Sequence, residues 1–491
     1  MRPLRLRGGV DGAPGPLTSA RARPPSPVEL LHPDGTAGRA VVLGGGLPAV
    51  LRRGLPEDGD GDAGVVVLAP AEEEARDRGW LREAVGSAAG ALAPDGLVYV
   101  LARRRSAARL LEGEGLEVAA ALVHLPRRES PRLVASAEPR ALRHALSTLL
   151  PPTPRRRLAA AAAPLLRESA VVARRPGSRP LLAWLRELAP DADTGCVILT
   201  PTWRDMGGST LVHVFARDGR APAAVGKVGT GGAEHEALAS VAVPARVAGI
   251  DTPAPLAAGR VGAAQVVLAS AVEGRPAAWG LAGRPSSVVD LLDRVAAWLE
   301  QWNRATRAQS PFTAAEVEER LLEDARELAP HLPDAPAYEA WLRDLCGSLL
   351  PIPAVAAHND LTTANVLVAG DGGLAVVDWE AARPRDLPLR DLVYTVVDAY
   401  LADGGYVTRA EAFDACFAGR GEPAATAERL VAGHRASLDL GAREAVACFH
   451  ACWLEHALNE ARRGGAGGEF VRISARLARD RNVLAERIGR L

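Results

Sequence analysis

Between two short apolar runs the chain reads Val355-Ala356-Ala357-His358-Asn359-Asp360-Leu361-Thr362-Thr363-Ala364-Asn365-Val366. A histidine, an aspartate and an asparagine thus form H-x-D-x4-N, and a second apolar run, Leu374–Val377, delivers Asp378. These residue types suit phosphoryl transfer, where the protein aligns a hydroxyl, holds Mg²⁺ on the phosphates and offsets developing charge. A carboxylate at Asp360 can accept the hydroxyl proton and aim the oxygen. The amide oxygen of Asn365 and the carboxylate of Asp378 are hard ligands suited to Mg²⁺, which prefers oxygen and keeps part of its water. Asp and Asn are also ordinary turn residues. Here, however, asparagine occurs only five times in 491 residues, and three residue types fall in register between apolar strands.

On this motif the chain resembles the aminoglycoside phosphotransferase and choline kinase-like family over roughly residues 181–491, and the protein kinases more distantly. The resemblance implies a two-lobed, protein-kinase-like α+β domain that uses ATP, or another nucleoside triphosphate, with Mg²⁺. It implies Asp360 as catalytic base, His358 as support of the loop, and Asn365 and Asp378 as metal ligands. Asp-Trp-Glu at 378–380 is similar to the small-molecule branch. The stretch from Asp386 to Leu392 resembles the segment that follows, where Asp391 would brace the loop. No Ala-Pro-Glu segment follows, so control through an activation loop is not expected.

A kinase reading requires a β-rich lobe upstream. Cys196–Thr200 and Thr210–Phe215 have strand character, and the Gly207-Gly208-Ser209 turn between them would lie over phosphates, its N–H groups suiting an anion. A third strand carries Lys227. Of 58 basic residues this is the single lysine, all the others being arginine, and a compact ammonium is not replaceable by a planar guanidinium at every site. Its expected task is to bridge the α and β phosphates while paired with a helix glutamate. Glu234 or Glu236 could be that partner. Glu234 shares a face with Leu238 and Val241 at helical spacing and is preferred. After a strand at Gln265–Leu268, the backbone from Ser270 to Val272 would form the hinge that bonds the adenine edge.

The elements that position these groups fall into five stretches. Residues 1–30 read as a flexible arm rich in Pro, Gly and Arg. Residues 31–138 alternate strands and helices, as a small parallel-sheet α/β domain does. Within it residues 63–123 resemble the later half of a Rossmann-type methyltransferase, with Ala93-Pro94-Asp95-Gly96 as the turn before a strand. The Gly44-Gly45-Gly46 run follows a strand, but Pro48 comes next and no room remains for a second strand with its acid. A truncated, non-catalytic domain is therefore expected. Residues 139–180 read as a linker region containing a helix near Ala141–Leu149, residues 181–275 as the kinase N-lobe, and 276–491 as a mainly helical C-lobe. Cys448, Cys452 and His456 share a helix face, and with Trp298, Trp302, Trp341 and Trp453 they read as core.

Bulk properties narrow the function classes. Apolar residues make up 48% and charged residues 24%, a globular composition, and net charge is −1. Nothing global points to nucleic acid or an anionic membrane. Five scattered cysteines suit a reducing compartment, and no signal peptide or membrane span is apparent. The expectation is a cytoplasmic enzyme phosphorylating a small-molecule hydroxyl, with no protein partner. Two rivals stand beside it: a catalytically silent pseudokinase or scaffold, and a methyltransferase acting through the N-terminal domain. Glu380, Glu455 and Glu460 are acids that could face an amine-bearing substrate.

Overall fold

A computed structural model of the chain describes residues 26–35, 38–52, 55, 62–71, 74, 77–102, 104–125, 132–163, 166, 169–201, 209–229, 233–262, 264–281, 283, 285–465 and 467–490. It divides into two compact units, one of Met1–His235 with Ala254–Ala271 and the other of Glu236–Pro253 with Val272–Leu491.

The first unit is organised by one sheet of eleven strands. In chain order these are β1 (Ala40–Leu43), β2 (Ala63–Leu68), β3 (Leu92–Val100), β4 (Glu117–Leu125), β5 (Leu133–Ser136), β6 (Ala170–Arg174), β7 (Ala192–Pro201), β8 (Thr210–Ala216), β9 (Pro222–Gly229), β10 (Pro255–Val261) and β11 (Ala264–Ser270). In space they run β1-β2-β3-β6-β4-β5-β7-β8-β9-β11-β10. Only the first three are parallel; every later pairing is antiparallel, β4 and β5 included, which corrects the expected parallel sheet over residues 31–138. Wholly buried β2, Ala-Gly-Val-Val-Val-Leu, is an apolar run without alternation, typical of a strand covered on both faces.

Two expectations change here. The supposed linker at 139–180 contains β6, whose Ala170–Ala173 are buried between β3 and β4. The same stretch holds α4 (Pro139–His144) and α5 (Pro154–Ala161). Both start with proline after a capping side chain, Glu138 and Thr153, so these prolines open helices rather than mark a loose connection. Nor do the α/β stretch and the β-rich lobe have separate sheets: β5 joins β7 through Val134 to Leu199 and Ala135 to Ile198. One continuous core, including Val65, Tyr99, Val172, Leu199 and Val228, underlies both. It is covered by Leu30 and Leu31, by α1 (Ala49–Arg52) and by α6 (Ala183–Leu188). The opposite face of the first strands packs on α2 (Arg78–Ala91) and α3 (Arg104–Gly113).

Gly44, at φ +89°, and Gly46 press against the backbone of Ala69 and Pro70, where any Cβ would collide. The Gly46 N–H donates to the Ala69 carbonyl at 2.7 Å. This glycine run serves a tight turn that leaves β1 against the residues following β2.

α7 (Ala233–Val247) crosses from the first unit into the second. The rest of the second unit is mainly helical: α8 (Ala278–Leu281), α9 (Pro285–Thr306), α10 (Ala314–Glu327), α11 (Ala335–Cys346), α12 (Arg390–Asp403), α13 (Arg409–Phe417), α14 (Glu422–Ser437), α15 (Ala442–Arg462) and α16 (Glu469–Arg490). Thr313 and Thr408 open α10 and α13 with complete capping boxes, to Glu316 and Glu411. Two small sheets complete the unit: β12 (Arg275–Pro276), β14 (Val366–Val368) and β15 (Leu374–Val376), and the pair β13 (Val355–Ala357) and β16 (Arg383–Asp386).

Candidate active site

The loop at 358–365 leaves β13 and enters β14, and β14 pairs with β15 in the register Val366 to Val376. Beyond that register the Val377 N–H donates to the Asn365 carbonyl at 3.0 Å, so the ladder sets Asn365 and Asp378 at the same end of the hairpin. Asp378 then turns sharply at φ 66°, ψ 62°, the left-handed conformation that Asp and Asn tolerate best. Asn359 has the same hand, at φ 62°.

His358 joins the two segments. Its Nδ1 accepts the Asp360 N–H at 3.3 Å and its Nε2 lies 3.0 Å from the Val377 carbonyl. These contacts define a neutral imidazole with its proton on Nε2, donating to the strand that carries Asp378. Asn365 donates from Nδ2 to the Asp360 carbonyl at 2.9 Å, which leaves Oδ1 as its lone-pair end. Trp379, fully buried, meets the His358 ring edge-on at 4.7 Å and Trp302 at 5.1 Å. Trp302 in turn donates to the Ala356 carbonyl at 2.7 Å. The loop is seated on tryptophans.

Asp391 accepts the N–H groups of His358 and Asn359 at 2.7 and 2.8 Å, the bracing expected of it. Burial pushes its carboxyl up from the ordinary value, against those two N–H bonds and the nearby Arg390 charge. Three further residues of α12 also hold the loop, and the sequence reading did not single them out. Tyr394 donates to Asp360 Oδ1 at 3.3 Å, Thr395 to the Leu361 carbonyl at 2.6 Å, and Asp398 takes the N–H and hydroxyl of Thr363, both at 2.7 Å. Polar residues three and four apart on an otherwise apolar helix were the signal available.

Below the loop lies a buried ionic cluster. Arg390 bonds Asp386 at 3.0 Å and Glu455 at 2.7 Å, and Arg320 and Arg383 reach the same two carboxylates. Burial alone would raise the Glu455 carboxyl, but the guanidinium groups outweigh it and hold it down to about 2. Glu455 is therefore not available to an amine-bearing substrate. Glu460 accepts the Val471 N–H at 3.0 Å, at the start of α16. Cys448 and Cys452 are buried, and among the described residues no group of three His, Cys, Asp or Glu side chains could hold a metal.

In the first unit Lys227 lies mid-strand on β9, flanked by Leu211 and Val267. Burial alternates along β9, with Ala224 and Val228 in the core and Val225 and Lys227 on the half-exposed face. Leu238 and Val241 are buried on α7 as the helical spacing predicted, and Glu236 is exposed. The Glu234 side chain lies outside the described residues, as do Gly207 and Gly208; Ser209 is half-buried before β8. The Ser270 N–H donates to the Ala254 carbonyl and its Oγ accepts the Ala254 N–H, both at 2.8 Å. Its N–H is thus committed to the sheet, which leaves Val272 as the next candidate for the expected hinge contact.

Residues 214–429 match the model of the phosphotransferase enzyme family, so the resemblance read from the motif is borne out over that stretch. No curated protein matches the chain. Among solved structures, a candidate aminoglycoside phosphotransferase from Ralstonia eutropha aligns at 13% identity and TM-score 0.41, covering 63% of this chain and 96% of that one. The aminoglycoside phosphotransferase APH(3'')-Id of Streptomyces rimosus aligns at 19% identity and TM-score 0.30, covering 50% and 93%. Macrolide 2'-phosphotransferase MphH of Brachybacterium faecium aligns at 18% and 0.35, covering 59% and 93%.

Proposed function

We propose that the chain is a phosphotransferase that moves the γ-phosphate of ATP, or another nucleoside triphosphate, onto a hydroxyl of a small molecule. The observation that carries this reading is the single loop in which Asp360 and Asn365 are bonded to each other and tied through His358 to the strand delivering Asp378. Asp360 orients the acceptor hydroxyl and takes its proton. Asn365 and Asp378 would hold Mg²⁺; an amide oxygen and a carboxylate at one hairpin end fit an ion that completes its shell with phosphate oxygens and water. When bound, the ion draws charge from the β and γ phosphates. Lys227 steadies the α and β phosphates, with Glu234 as its partner. Gly207, Gly208 and Ser209 cover the phosphates, and the backbone at Val272 bonds the adenine edge. In this reading the N-terminal strands are a truncated, non-catalytic Rossmann-like layer. Its glycine turn is spent on Ala69 and Pro70, which supports that view over methyl transfer. No described helix is long and apolar enough to cross a membrane, and the enzyme is read as cytoplasmic.

The test is a nucleotide-consumption screen over aminoglycosides, macrolides, amino alcohols, sugars and nucleosides, with Asp360→Ala as blank. Turnover in the wild type and near-complete loss in the variant, with Mg·ATP still bound by calorimetry, is expected. Wild-type turnover by Asp360→Ala contradicts the base; absence of Mg·ATP binding by the wild type points to the pseudokinase rival.

A further inference from the structure

Asp391, Tyr394, Thr395 and Asp398 lie at i, i+3, i+4 and i+7 on α12 and so form one stripe. They meet the loop in its own order: residues 358 and 359, then 360, then 361, then 363. Three of the four hold the loop's backbone. Tyr394 alone ends on the carboxylate assigned as base.

The Tyr394 ring is 4% exposed and has little freedom. His456 stacks on it at 4.2 Å and 15°, Phe470 lies at 6.0 Å and Trp453 at 6.2 Å, and the Arg409 guanidinium sits 5.2 Å from its centroid. Arg409 also pairs with Asp398 at 3.1 Å, and Asp398 holds Thr363. A closed circuit therefore runs from Thr363 through Asp398, Arg409 and Tyr394 back to Asp360, three residues upstream in the same loop. A ring packed in this way has one rotamer, and its hydroxyl one position.

We propose that Tyr394 is a positioning residue for the transfer, its hydroxyl fixing the plane of the Asp360 carboxylate so that the base faces the acceptor. The inference rests on Asp360 being the base. In the step itself the acceptor's proton passes to Asp360 and the acceptor oxygen bonds the γ-phosphorus. The bridging oxygen leaves with its electron pair on the nucleoside diphosphate. Tyr394 keeps its own proton throughout, and burial, which pushes the phenol up, agrees with that.

Tyr394→Phe removes the hydroxyl and keeps the ring. With ATP and the best acceptor of the screen, or water if none stimulates turnover, kcat should fall about tenfold, the scale of one hydrogen bond. KM for ATP and acceptor should stay within about twofold, and the thermal midpoint should be retained. Added to Asp360→Ala, the change should have no further effect, since the tyrosine acts through that carboxylate. Wild-type kcat in Tyr394→Phe overturns the proposal. So does a kcat loss matched by a fall in thermal midpoint, or a double variant slower than Asp360→Ala alone. A fully active Asp360→Ala sinks the underlying base assignment instead, and is a distinguishable result.

Discussion

His358 lies 3.0 Å from the carbonyl of Val377 while its other ring nitrogen accepts the N–H of Asp360. One imidazole therefore sets the spacing between the loop at 358–365 and the strand that ends in Asp378. Replacing His358 by Leu strands a carbonyl and an N–H where solvent scarcely reaches. We expect a loss of about 2–3 kcal/mol in stability, read by denaturant unfolding. At a temperature where the variant is still folded, turnover should fall at least tenfold, because the two segments lose register.

Asp391 carries two backbone bonds, and an amide cannot replace it. In Asp391→Asn one of the two N–H groups faces an NH₂. The expected cost is about 1–3 kcal/mol, with protection from hydrogen exchange lost first at 358–361. Unchanged exchange there would mean that the tryptophans beneath hold the loop alone.

Asp378→Asn tests the metal assignment without touching the base. Titrating Mg²⁺ at fixed nucleotide, the concentration for half-maximal turnover should rise tenfold or more, and chelation should abolish turnover in the wild type. A curve that overlays the wild type would remove Asp378 from the metal.

Lys227→Arg is a sharper probe than Lys227→Met. The chain uses arginine for every other cation, so charge alone is the simpler requirement to rule out. Both variants should lose at least tenfold in kcat/KM for ATP if a compact ammonium is needed. Rescue by arginine alone would show that any cation suffices.

The ionic cluster predicts a pH dependence of stability. Glu455 has its folded value lowered, so its contribution is complete above the ordinary 4.5 and is lost as pH falls toward about 2. That contribution is on the order of 3 kcal/mol. Glu455→Gln should flatten the acid limb of stability between those limits. It should also destabilise the protein at neutral pH, where Arg390 keeps its charge with one partner fewer.

What the sequence revealed follows from how far its signals reach along the chain. Asp360, Asn365 and Asp378 were legible because a loop and a hairpin place them by local spacing. Lys227 stood out because nothing else in the chain is lysine, and the structure places it on a strand as read. Strand β6 was missed because Ala170–Ala173 are buried on both faces, so their pattern does not alternate, and arginines flank them. Glu455 was misread because its partners, Arg320, Arg383 and Arg390, lie 65 to 135 residues away. Of the α12 stripe only Asp391 was recognised, although Tyr394, Thr395 and Asp398 repeat its spacing.

Because β5 pairs with β7, the stretch from residue 181 onward does not begin at a natural seam. Excising residues 1–180 would bare the outer rim of β7, a line of unpaired amide groups of the kind that recruits other chains into aggregates. The N-terminal strands are in that sense a wall of the sheet that carries Lys227, and a chain shortened in this way should precipitate where the whole chain stays dispersed.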